Sequence, residues 1–290
     1  MTTHRGKNRN RETDATLPVT ASDRLRQISV TISEILSLLG PLIGAGIIGS
    51  QVEESSGGDL SSDATLVAPG GPAFSIWSVI YLGLFAYTIW QWLPSRGNDT
   101  RARATGWLVA LSMLLNALWL VVTQQGWIWA SVVVIVGLLA VLVLLVVRLT
   151  HLRPRHGVSE IIVVDGTFGL YLGWVCVATA ANIAAALASS GIQTTGSAAE
   201  WATAALILFL VGALALLQAR VGGRWAVAAA SAWGLAWISI ARLTDQPQSG
   251  LVSATAALAA VLVVVTTALV RARGHAATAR TDASSSSKRN

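Results

Sequence analysis

The chain has 290 residues, of which 53% are hydrophobic and 12% charged, and its mean hydropathy is +0.62. Soluble domains carry about 25% charged residues, so an ordinary soluble globule is excluded. The formal net charge of +6 does not point to nucleic acid, because the basic residues sit in loops and tails beside apolar stretches, where topology and anionic lipid account for them.

Residues 1–27 are polar and read as a disordered cytoplasmic tail. An apolar run over 28–49 follows, longer than the core of a cleaved signal peptide, and reads as a retained membrane helix. Further apolar stretches cover 73–93, 105–123, 127–147, 159–187, 199–219, 224–242 and 251–270. Each is close to the 17 to 25 residues that cross a hydrocarbon core. Residues 271–290 are Ser- and Ala-rich and read as a second disordered tail. When the eight stretches are threaded alternately, nineteen of the twenty Lys and Arg residues fall on one side, with Arg242 the exception. Positive charge is retained on the cytoplasmic face, which predicts a multi-pass protein of the plasma (inner) membrane with both termini inside. The fold class is therefore all-α, a polytopic bundle of about eight transmembrane helices.

The first outer loop, Ser50–Gly71, is long and carries Glu53, Glu54, Asp59 and Asp63 with no basic residue. It ends in Pro69-Gly70-Gly71-Pro72, with Pro72 near the start of the second helix, where proline is tolerated. Of the twelve tryptophans, Trp90, Trp92, Trp107, Trp127, Trp129, Trp201 and Trp225 lie at helix ends and match interfacial aromatic belts. Trp77, Trp119, Trp174, Trp233 and Trp237 lie deeper, where an indole N–H needs a partner in another helix or a cavity.

Three deep segments stand out. The second helix opens PAFSIWSVIY, with Trp77 and Tyr81 on one face. The third holds LLNALW, with Asn116 and Trp119; the fifth holds YLGWVCVATAAN, with Tyr171, Trp174, Ala178 and Asn182 near one face. These residues reach similar depth beneath the acidic loop, which suits either a cavity for a flat hydrophobic small molecule or ordinary packing between helices. Cys176 is the single cysteine and the four histidines all lie outside the apolar stretches, so neither a disulfide nor a metal site is expected. Three ionisable residues lie within stretches: Glu34, Asp165 and Arg242. Glu34 either reaches the interface or serves as an intramembrane site. Asp165 is expected to face the bundle interior, protonated, bonded across helices or on a cation or proton route. Arg242 is expected to snorkel and pair with Asp245 or an acidic loop residue.

The three segments, in this order and on these helices, resemble the signature segments of the tryptophan-rich sensory protein / translocator protein (TspO/MBR, peripheral benzodiazepine receptor) family. The resemblance covers about residues 28–187 and implies a five-helix core, with residues 188–270 as a three-helix extension. It implies a pocket for porphyrins or other hydrophobic ligands at Trp77, Tyr81, Asn116, Trp119, Tyr171, Trp174, Ala178 and Asn182. What the resemblance implies is a porphyrin- or haem-like ligand, used in sensing or disposal, with no cofactor required. The partners are the lipid bilayer, the small molecule and, in a homodimer, a second copy. Alternatives are a small-molecule transporter and a light-dependent porphyrin-degrading enzyme, in which Trp77 and Trp174 would be the catalytic candidates. The chain departs from the family pattern at Ser75-Ile76, where proline is usual, and at Val177, where an aromatic is common. The cholesterol-contact pattern after Asn182 is missing.

Overall fold

The computed structural model describes residues 18–38, 58–94, 96–152, 154 and 156–287. The described residues form an all-helical bundle: α1 (Ala21–Ser37), α2 (Gly71–Trp90), α3 (Thr100–Gln124), α4 (Ile128–His151), α5 (Gly157–Ser189), α6 (Ser197–Val221), α7 (Trp225–Thr244) and α8 (Gly250–Ser287). Seven of these, α2 to α8, contain a segment long and apolar enough to cross a membrane. The described part of α1 is 17 residues. Its expected continuation to 49 lies outside the described residues, as do Glu53 and Glu54 of the loop.

Two boundaries differ from the sequence reading. Helix α1 begins at Ala21, inside the expected tail, because Thr20 and Asp23 close a capping box: the Asp23 amide donates to Thr20 Oγ1 (3.2 Å) and the Thr20 amide to Asp23 Oδ2 (2.9 Å). Asp23 also receives both Nε (2.9 Å) and Nη2 (2.6 Å) of Arg103, which stitches α1 to α3. That hydrogen bonding holds the Asp23 carboxyl well below the usual carboxylate range, against the opposing effect of burial. At the other terminus α8 continues to Ser287, through the segment whose composition reads as disordered. Extending an existing helix avoids the cost of nucleation, and the Ala and Arg residues of 271–280 have high propensity, whereas the Ser-rich end does not.

Helix α5 is the centre of the bundle, between α4 and α7; α3 joins α1 to α4, while α8 joins α7 to α6. Of the three C-terminal helices, α7 thus packs along the core, α8 is joined to it through α7, and α6 meets it at few points. Contact of α5 with α7 is close because small residues face each other. A Cβ on Gly173 would lie 2.3 Å from the Val227 carbonyl oxygen, and one on Gly169 2.7 Å from Ala226 Cβ. Gly169 and Gly173 form a G-x-x-x-G pair, the spacing that lets membrane helices touch backbone to backbone. Ser231 Oγ uses that proximity to donate to the Gly173 carbonyl (3.1 Å). Gly173→Ala is expected to force α7 away and destabilise the protein by about 1–3 kcal/mol, read as a lower melting temperature in detergent micelles.

Basic residues of alternate helices meet at one end of the bundle. Arg26 donates to the Gly97 carbonyl (2.6 Å), Arg148 to that of Ala104 (3.0 Å) and Arg271 to that of Gly223 (3.2 Å). The end-of-helix tryptophans 92, 107, 127, 129, 201 and 225 are exposed to the surroundings, as interfacial anchors should be. Trp90 is the exception. It is buried, stacked on Tyr87 with Arg96 over its ring, because the chain folds back over it after α2.

Candidate functional site

Helix α2 opens with a 3-10 turn, Gly71–Ser75, carrying Pro72 in its first positions, and then becomes α-helical at Ile76. The turn is held from behind by α7: the Gly70 amide donates to the Trp237 carbonyl (3.3 Å) and Trp233 Nε1 to the Ala73 carbonyl (3.0 Å). Two of the deep tryptophans therefore act as struts. This fixes the angle at which Phe74 and Trp77 enter the bundle at the end opposite the basic residues.

There, Trp77, Trp119, Trp174, Ala178 and Asn182 line one narrow cavity with Phe74, Ala181 and Ala185. Ala178, Ala181, Asn182 and Ala185 recur at helical spacing, so small side chains leave the space that the indoles surround. Trp77 meets Trp174 edge to face (centroids 6.2 Å apart), and Phe74 meets Trp174 likewise (5.8 Å). Trp119 Nε1 donates to Asn182 Oδ1 (2.8 Å), and Asn182 Nδ2 donates to Ser131 Oγ on α4 (2.9 Å). Because an indole N–H only donates, this bond sets which way the amide points.

Tyr81, Asn116 and Tyr171, the other expected ligand residues, do not line the cavity. They sit one turn deeper and support its floor. Trp77 stacks on Tyr81 (5.5 Å, 25°) and meets Tyr171 edge on (6.0 Å). Asn116 Nδ2 donates to Tyr81 OH (2.9 Å), and Tyr171 OH to the Ser112 carbonyl (3.3 Å). Two buried polar atoms of this region, Trp174 Nε1 and Asn116 Oδ1, have no partner among the described residues.

The roof comes from the loop. Asp59, Leu60, Ser61, Thr65, Ala68 and Pro69 line the cavity, and Thr65 to Ala68 are buried. Arg242 holds this roof, so the expectation that it snorkels is corrected. It is 1% exposed and donates to the carbonyls of Ser62 (2.7 Å), Thr65 (3.1 Å) and Pro247 (3.0 Å). No carboxylate of the described residues forms an ion pair with it. Carbonyl dipoles of a turning loop supply what a counter-ion would, and they converge only once the loop is folded.

Asp165 is bonded across helices. It lies in a π-helical stretch of α5, Ile161–Gly166, and accepts from Arg101 of α3 (2.7 Å) and from Arg224 at the start of α7. Arg101 also pairs with Glu160. Residues five apart diverge by about 140° on an α-helix. Hydrogen bonds running i to i+5 in the π stretch bring Glu160 and Asp165 toward the same arginine. Two carboxylates and two guanidiniums thus balance at the basic end. Sequence reading assigned Arg101 and Arg224 to topology alone and passed over Glu160; the signal was carboxylates at the basic end of the fifth stretch. Glu34 is buried rather than at an interface; Ser37 Oγ donates to its Oε2 (3.0 Å), and Oε1 has no partner among the described residues.

Residues 31–269 match the family model of TSPO-like proteins, a span that takes in α6, α7 and the first half of α8 as well as the three helices carrying the signature segments. No curated protein and no solved structure matches the chain. The match covers most of the sequence, and the chain belongs to the TSPO-like protein family.

Proposed function

We propose that this membrane protein binds a hydrophobic, tetrapyrrole-like small molecule in the aromatic cavity under the loop, for sensing or disposal. The observation that carries the reading is the convergence of Trp77, Trp119 and Trp174, from three helices, on one cavity floored by Tyr81 and roofed by a loop. The unpartnered Trp174 N–H is available to an acceptor on the ligand, whereas the ring faces suit a flat conjugated system. The indoles meet edge to face at about van der Waals contact, so a macrocycle enters by displacing Leu60 and the rest of the roof. We place the protein in the plasma membrane with its basic end and both termini cytoplasmic, which turns the cavity outward; the charge clustering supports this.

Protoporphyrin is expected to quench the tryptophan fluorescence of the purified protein saturably. In the Trp77→Phe/Trp174→Phe double variant the ten remaining indoles still report, and saturation should be lost. Equal quenching of both proteins would sink the reading.

A further inference from the structure

Helix α6 leans on α8 and touches α4 and α5 at few points. Between them runs an apolar groove made of two adjoining hollows, both lined by Ile183 and Leu206. Its deeper hollow is walled by α4, α5 and α6, with Leu139, Cys176, Phe209 and Leu217 among its lining. The shallower hollow ends at Gln193, Thr194 and Thr203, away from the basic residues. Its floor on α5 is a run of small residues four apart, Cys176, Ala180, Ala184 and Ala188. Such a run ordinarily admits a neighbouring helix, yet α6 stands off from it.

In a bilayer this space is open to hydrocarbon, and an apolar void beside hydrocarbon forfeits dispersion contacts until something fills it. From Cys176 to Ala188 the groove runs about 18 Å by helix rise. That is slightly more than one leaflet of a core about 30 Å thick. Apart from Thr179, whose hydroxyl donates to the Val175 carbonyl of its own helix, the deeper hollow is apolar, and the polar residues gather at the end away from the basic residues, which is the outer end in the orientation proposed above. A single acyl chain is narrower than a helix and matches both the depth and the polarity.

We propose that this groove is a binding site for the acyl chain of an outer-leaflet phospholipid, with Gln193, Thr194 and Thr203 facing its headgroup. The site is separate from the aromatic cavity, although Thr65 of the roof loop borders both; the test below is made without a cavity ligand, so its outcome does not rest on that reading. The test uses the full protein in phosphatidylcholine vesicles doped with phosphatidylcholine that carries a diazirine in its acyl chain. After irradiation, label should concentrate on Ile183, Leu206 and Leu210, severalfold above the exposed apolar residues Val133 and Leu258. Filling the floor with Ala180→Leu/Ala184→Leu should abolish that excess while melting stays unchanged. Even labelling of groove and controls in the wild type overturns the proposal, and decides the matter even if the double variant does not fold. An unlabelled groove in a protein that cross-links to itself also overturns it, and assigns the surface to a second copy.

Discussion

Asp165→Asn is expected to destabilise the protein by about 2–4 kcal/mol: removing one partner of a fully buried pair costs about 3–5 kcal/mol, and here Arg101 and Glu160 are buried while Asp165 and Arg224 are partly so. The substitution keeps the shape of the side chain and deletes only its charge. Arg101 and Arg224, which both donate to Asp165, would then face each other with Glu160 as the remaining carboxylate paired to Arg101. Those residues belong to α3, α5 and α7, so repulsion there loosens the junction of the core with the C-terminal helices. Thermal unfolding in detergent reads the loss. Removing the surplus charge as well, in Asp165→Asn/Arg224→Gln, should recover part of it. A single variant that melts like the wild type would show that water screens the cluster.

Arg242→Met should act at the opposite end, through the roof. The guanidinium donates three hydrogen bonds to carbonyls and is nearly inaccessible. Hydrogen bonds involving a charged group contribute about 1.5–3 kcal/mol each before relaxation. Methionine fills much of the volume but leaves the carbonyls of Ser62, Thr65 and Pro247 without those donors, and a net loss of about 2–4 kcal/mol is expected once the loop relaxes toward water. Amide hydrogen exchange over residues 62–68 should rise sharply, while α3 and α5 stay protected. Arg242→Lys should be intermediate, since an ammonium keeps the charge without the planar fork. Unchanged exchange in Arg242→Met would mean that packing of Leu66 and Val67 alone holds the roof.

Much of the cavity was legible in the residues. Trp77 and Trp174 lie on known faces of their helices, and helical spacing alone carries Ala178 and Asn182 to the same side as Trp174. The division between lining and floor was not legible. Tyr81 and Tyr171 share faces with the lining tryptophans, and spacing along one helix cannot say which turn a neighbouring helix covers. Trp90 shows the same limit: its position at a helix end predicted an interface, and the chain after α2 buried it instead. For Arg242, the partners are backbone carbonyls of a loop 177 and 180 residues away, and carbonyls leave no mark in a sequence.

By itself the sequence determined that the chain is a membrane bundle and which indoles lie away from the helix ends, because hydrophobic length and helical period are local properties. Tertiary structure alone decided that α7 braces the entry of α2, that Arg242 holds the roof and that Asp165 joins three helices. Each of these depends on how close two distant backbones come, and that distance is set by packing, here by glycines on α5 that let α7 approach.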